Sequence, residues 1–155
     1  MIRAEALSAA AFAPFGDVLE VGGAARVINA GLCNRYHDRA MMDFTDGRAG
    51  ISIFQAKCRA LPYHFDLIER HPDGSQAFIP MTDDPFLVIV VQGPQATPQA
   101  FLTNGAQGIN LHRGTWHGVL TPLSGDGLFA VIDRIGGGVN LEEYRHPTGW
   151  TVTQG

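Results

Sequence analysis

Cysteine is scarce in this chain: Cys33 and Cys58 are the only two in 155 residues. Two are too few for a disulfide framework, and neither stands in a C-x-x-C pair of the kind that makes a zinc or redox site. Both are expected to be plain reduced thiols. Long apolar runs are missing as well. The longest strongly apolar stretch, Phe86 to Val91, is far short of the ~20 residues a membrane helix needs. At the N-terminus, "MIRAEALSAAAFAPFGD" is broken by Glu5 and Asp17, and Pro14 comes too soon for the apolar core of a signal segment. The cytoplasm is therefore the expected compartment, with no membrane partner. No basic tract is present and the formal net charge is −4. Neutralising phosphates needs a basic surface, so no nucleic-acid partner is expected. Charged residues reach only 17% against 45% hydrophobic, a balance that excludes a disordered chain. The length suits one domain, read as residues 1–155.

Turns, by contrast, are abundant. Nineteen glycines and nine prolines separate short β-rich runs such as "DVLEV", "RVIN", "ISIFQAK", "QAFIPM", "FLVIVVQ", "GINLH" and "LFAVIDRI". That spacing is expected of an all-β sandwich or barrel. Helical periodicity is confined to "AAAFAPFG", where Ser8 has the look of an N-cap. "LEEY" at 141–144 fits a short helical turn or a strand. The run Phe86 to Val91 is apolar on both faces, which fits a strand central to the core.

The stretch "ERHPDGSQAFIPM" (69–81) asks why Glu69, His71 and Gln76 surround one tight turn. Side chains on a strand alternate between faces. Taken as a strand, residues 63–71 put Tyr63, Phe65, Leu67, Glu69 and His71 on one face and His64, Asp66, Ile68 and Arg70 on the other. The first face lines a core and then becomes polar at its end. The second is expected to meet water or a partner subunit. Pro72-Asp73-Gly74-Ser75 is strong turn chemistry, and it brings Gln76, Phe78 and Pro80 back over the first face.

A second stretch, "GINLHRGTWHG" (108–118), ends a strand-like piece in a glycine turn and then Trp116-His117. Glu69-x-His71-x4-Gln76 followed by Gly114-x2-His117 resembles the two-part metal signature of cupin barrels. Glu69 stands where that family has its first His, and Gln76 where it has Glu. The resemblance implies a cupin-like jelly-roll β-barrel with one or two short helices. It points to a divalent metal ion held by Glu69, His71, Gln76 and His117, with Gln76 the weakest donor; the alternative is a metal-free polar pocket built from the same four residues.

Several phrases together are more specific: "AFAPFGDVLE" (11–20), "INAGLCNRYHD" (28–38), "LIERHPDGSQAFIPM" (67–81), "QAFLTNGAQGINLHRGTWHG" (99–118) and "IDR" (132–134). They resemble the ureidoglycolate lyases, also called ureidoglycolate hydrolases, of allantoin breakdown. The resemblance implies a homodimer and cleavage of ureidoglycolate to glyoxylate and urea. It does not reach the segment after Gly136, which is read as a surface tail or a last strand.

That chemistry needs a cation for the substrate carboxylate, a base near its hydroxyl and an acid near the departing nitrogen. Arg35 is the expected carboxylate holder, because its fork matches a carboxylate bidentately. Asn29 and His37 stand near it and Phe78 is expected in the pocket wall, completing the substrate-binding set. His112 and Asp133 are the candidates for proton transfer. Two alternatives stand beside the lyase. One is another small-molecule cupin enzyme, an isomerase, epimerase or dioxygenase. The other is a non-catalytic barrel that binds a small carboxylate.

Overall fold

The computed structural model describes residues 1–155. The chain forms fourteen strands: β1 (Ile2–Ala6), β2 (Gly16–Leu19), β3 (Arg26–Ile28), β4 (Cys33–Arg35), β5 (Arg48–Gln55), β6 (Tyr63–Arg70), β7 (Gln76–Pro80), β8 (Phe86–Val91), β9 (Gln99–Leu102), β10 (Gly108–Leu111), β11 (Trp116–His117), β12 (Thr121–Pro122), β13 (Leu128–Ile135) and β14 (Glu142–Thr153). The one α-helix is a single turn, α1 (Ala9–Phe12), and Ser8 caps it by accepting from the Ala11 N–H. A 3-10 turn at Asn29–Gly31 joins β3 to β4. The all-β expectation is met, and no helix is long and apolar enough to cross a membrane.

Two sheets make up the body. The larger runs β11-β6-β14-β1-β9-β8-β12, and β11 also pairs with β8. That extra pairing closes six of its strands into a barrel. The second sheet is open, in the order β2-β10-β7-β13-β5. One core fills the space between the sheets and includes Phe12, Phe78, Val90, Phe101, Phe129 and Val131. A second lies on the other face of the larger sheet and includes Ile2, Phe65, Ile68, Ile89 and Val152. β8 feeds both, its even residues entering one core and its odd residues the other. Its unbroken apolar run follows from burial on both faces.

The region that resembled nothing, after Gly136, is the longest strand of the fold. β14 pairs antiparallel with β6 and parallel with β1. Its first residues, "LEEY", are therefore strand or lead into it, not helix. Leu67 pairs with Arg145 whereas Phe65 pairs with Trp150, so Asp66 alone stands opposite His146 to Gly149. The His146 Nδ1 accepts from the Gly149 N–H at 3.0 Å and holds this bulge closed. Gly149 has φ +68, and a Cβ there would meet the Phe65 carbonyl at 2.7 Å, so only glycine fits.

The bulge corrects the strict alternation expected of β6. Tyr63 and Phe65 share a core with Ile68, not with Leu67 and Glu69. Ile68 is buried, so the face His64-Asp66-Ile68-Arg70 is not an outer contact surface. A bulge shifts the facing of every later residue by one. Its consequence is that Glu69 is turned toward the space between the sheets.

Phe101 is 1% exposed and meets Phe12 edge to face, with ring centroids 5.8 Å apart. Phe101→Ala is expected to cost about 3–5 kcal/mol of stability, read as a lowered urea midpoint with the slope unchanged.

Candidate metal centre

The centre is assembled from two hairpins. β6 lies between β11 and β14, so Glu69 faces His117 on one side and Glu143 on the other. His117 in turn opposes Val90 of β8. His71 follows the end of β6, and its carbonyl accepts from the Gly114 N–H of the second hairpin at 3.0 Å. Donor atoms of Glu69, His71 and His117 all lie within 4.8 Å of one another. The two imidazole rings stand 5.3 Å apart.

Each imidazole is held the same way. The His71 Nδ1 lies 2.9 Å from the Asn140 carbonyl and the His117 Nδ1 lies 2.8 Å from the Gly118 carbonyl. A carbonyl only accepts, so both Nδ1 atoms carry a proton, and in the neutral ring each Nε2 keeps a lone pair. Those two Nε2 atoms are buried and have no partner, and the same holds for the Gln76 Oε1. A buried polar atom left unmade costs about 1–3 kcal/mol. Three of them on residues converging from two hairpins are the mark of a missing ligand. Two imidazole lone pairs, a carboxylate and an amide oxygen suit a divalent transition metal.

Burial sets the charges. The Glu69 carboxyl is pushed above its usual range, chiefly by desolvation and further by Glu143, while His71 opposes the shift. The His117 imidazole is lowered to about 4 by burial, against the pull of the Gly118 carbonyl. His117 is thus neutral, and ready to ligate, across the physiological range.

Gln76 and Asp133 are register partners in the open sheet, and the Gln76 Nε2 donates to the Asp133 carboxylate at 3.1 Å. A carboxylate accepts only, so it dictates which end of the amide faces it and turns Oε1 the other way. Phe78 is buried on the same face and shares with His117 a cavity of about 20 Å³, room for one water. Glu69, His71 and His117 therefore cluster, while Gln76, Phe78 and Asp133 lie on the inner face of the open sheet, where Phe78 lines the cavity beside His117.

The remaining expected residues do not join them. His112 lies on the opposite face of its sheet, bonded to Asp17 at 3.2 Å. Asn29, Arg35 and His37 are exposed, on or beside the β3–β4 ribbon, a separate two-stranded sheet. No side-chain hydrogen bond or ion pair ties them to the centre. Sequence reasoning also missed Asn140. Its carbonyl orients His71, and its Oδ1 accepts from the Asp73 N–H at 2.8 Å. It lies 69 positions from His71 in the chain, and no local pattern connects the two.

The family model described as ureidoglycolate lyase matches residues 1–153. The chain belongs to the ureidoglycolate lyase family. It is 55% identical to "Ureidoglycolate lyase" of Rhodobacter capsulatus over 148 residues, 92% of each chain. A protein of the same name from Chelativorans sp. (strain BNC1) is 45% identical over 157 residues, 97% of this chain and 95% of the relative. "Ureidoglycolate lyase 2" of Rhizobium meliloti is 46% identical over 144 residues, 89% of this chain and 88% of the relative.

Two outcomes are expected. Asn140→Ala removes the side-chain anchor that holds the Asn140 carbonyl over His71. It is expected to weaken metal binding 10–100-fold, read by calorimetry with Mn²⁺ or Ni²⁺, while Asn140→Asp keeps the acceptor and restores most of the affinity. The second outcome concerns pH. The folded His117 titrates near 4 and an unfolded His near 6.5, so between those values the unfolded chain binds more protons. Metal-free protein should therefore lose up to about 3 kcal/mol of stability as pH falls from 6.5 toward 4. Glu69 acts in the opposite sense, since its raised carboxyl takes up a proton sooner in the fold. Comparing thermal melts of the wild type and His117→Gln isolates the His117 contribution, which the variant lacks.

Proposed function

We propose that this chain is a ureidoglycolate lyase, cleaving ureidoglycolate to glyoxylate and urea. The observation that carries the reading is one set of side chains. Buried Nε2 lone pairs of His71 and His117 and the carboxylate of Glu69 converge in a chain matched to that family over residues 1–153. The resemblance adds a place in allantoin breakdown and a homodimer, and the absence of a signal-like or membrane-length apolar run supports a cytoplasmic location.

The reaction is an elimination. The substrate's central carbon carries a hydroxyl and a ureido nitrogen. The hydroxyl gives up its proton, the C–O bond becomes a carbonyl, and the C–N bond breaks with its electron pair going to nitrogen. The nitrogen then takes a proton, and no water is consumed. A divalent ion held by Glu69, His71 and His117, with Gln76 as the weaker oxygen donor, would supply Lewis-acid polarisation of the substrate oxygens.

Asp133 is the proton acceptor in this reading. Its carboxylate sits at the end of the apolar face Phe129-Val131, beside Gln76. Phe78 keeps the space next to His117 apolar and narrow, which limits water at the reacting carbon. His112, turned to the other face of the sheet, plays no part in this proton path. An isomerase or dioxygenase of the cupin type would favour the full two-His first motif, and Glu69 stands in place of one of those histidines.

Purified protein supplied with divalent metal and racemic ureidoglycolate is expected to release glyoxylate and urea in equal amounts. Asp133→Asn should lower kcat by about 10²–10⁴ while leaving metal content unchanged. His71→Ala should lose both metal and turnover, and chelation of the wild type should reproduce it. Full activity in both His71→Ala and Glu69→Ala would sink the assignment of this site.

A further inference from the structure

The facing of Glu69 is not inherited from the start of its strand. Phe65 and Ile68 both enter the core inside the closed barrel. On an unbroken strand, residues three apart face opposite ways. The phase of β6 therefore slips at Asp66 and Leu67, and the two faces exchange beyond that point. Glu69 lies just past the slip. Its register partner is His117, which in turn opposes Val90, and Val90 belongs to the core between the sheets. Without the slip Glu69 would share the face of Phe65, inside the barrel. Its carboxylate would then point away from His71 and His117.

The slip is matched by an excursion of β14. Arg145 faces Leu67 and Trp150 faces Phe65, so His146 to Gly149 stand outside the ladder. The His146 imidazole is the hub of that excursion. Its Nδ1 accepts from the Gly149 N–H at 3.0 Å and from the Thr148 N–H at 3.3 Å. The Thr148 hydroxyl lies 3.3 Å from the same atom. The ring also rests against the Trp150 indole, with centroids 5.3 Å apart, and Trp150 packs on the barrel core. One side chain thus satisfies two backbone donors that the ladder no longer reaches, and anchors them where the strand resumes. Arg145 ion-pairs Asp66 across the gap, but that pair is open to solvent, where such pairs contribute little. The imidazole is the stronger tie.

We propose that His146 is a positioning residue of the metal centre. It bonds to none of the three converging donors. It fixes the excursion of β14, the excursion fixes the phase of β6, and the phase turns Glu69 toward His71 and His117. The inference rests on the reading of Glu69 as a metal ligand. It gives the segment after Gly136 a part in the site that its distance from the donors conceals.

Two substitutions separate the acceptor from the packing. His146→Leu keeps an apolar contact for Trp150 but accepts nothing. His146→Asn offers an amide oxygen to N–H groups two and three residues on, as asparagine does in turns. The first readout is taken on metal-free protein by NMR. In the wild type, contacts are expected between the Glu69 side chain and the His117 ring, whose donor atoms lie within 4.8 Å. His146→Leu should lose them while keeping the β spectrum and the pairing of His117 with Val90. His146→Asn should retain them. The second readout is calorimetry with Mn²⁺. Affinity should fall roughly 10–100-fold in His146→Leu, as when the support of a ligand is removed, and recover in His146→Asn. A third measurement needs no variant: nitrogen NMR of the wild type should show the His146 proton on Nε2, leaving Nδ1 to accept. A wild type that binds no Mn²⁺, with the Glu69–His117 contacts still lost in His146→Leu, sinks the metal reading and supports the positioning role. A His146→Leu protein that keeps those contacts overturns the proposal whatever its affinity. So does a His146→Asn protein that behaves like the leucine variant, or a wild type whose His146 proton sits on Nδ1.

Discussion

Two backbone carbonyls, those of Asn140 and Gly118, decide which nitrogen of each buried imidazole carries its proton. The chemistry of the centre depends on that choice. Were either ring turned, its lone pair would face a carbonyl and its N–H would point at the other donors. As built, two lone pairs and one carboxylate converge, and the cost of leaving them unmatched is carried by the surrounding fold. Desolvation reinforces the arrangement by keeping His117 neutral far below its usual range.

The fold meets that cost through strands that are buried twice. β8 contributes to both cores, and β11, which carries His117, is pinned between β8 and β6. A two-residue strand has little stability of its own. It holds its place because its neighbours on both sides are long and well packed. The Gln76–Asp133 bond joins β7 to β13 within the open sheet.

The two faces of the open sheet do different work. The inner face carries Gln76, Phe78 and Asp133 toward the centre. The outer face carries bare isoleucines and an unmet amide oxygen. Alternation along β7 and β13 makes the two inseparable, because each residue facing in is followed by one facing out.

Much of this was legible in the residues themselves. Turn chemistry and short β runs determined an all-β chain, Ser8 marked the one helical turn, and Phe86 to Val91 announced a strand buried on both faces. The turn at Pro72-Asp73-Gly74-Ser75 was plain from its residues, and the resemblance to the cupin signature grouped Glu69, His71 and His117, whose donor atoms the fold brings within 4.8 Å of one another. These are local signals, set by backbone preferences within a few residues. What only the tertiary structure decided involves pairs distant in sequence. The bulge that turns Glu69 inward arises where Asp66 faces His146 to Gly149, and Asn140 reaches His71 across 69 positions. Strand β1 escaped notice because its partners are β9 and β14. His112 and Arg35 looked suitable by residue type, yet sheet pairing turned one to the opposite face and left the other on a free ribbon. Residue type determines what a side chain can do, whereas register and packing, fixed only when remote strands meet, decide which side chains do it together.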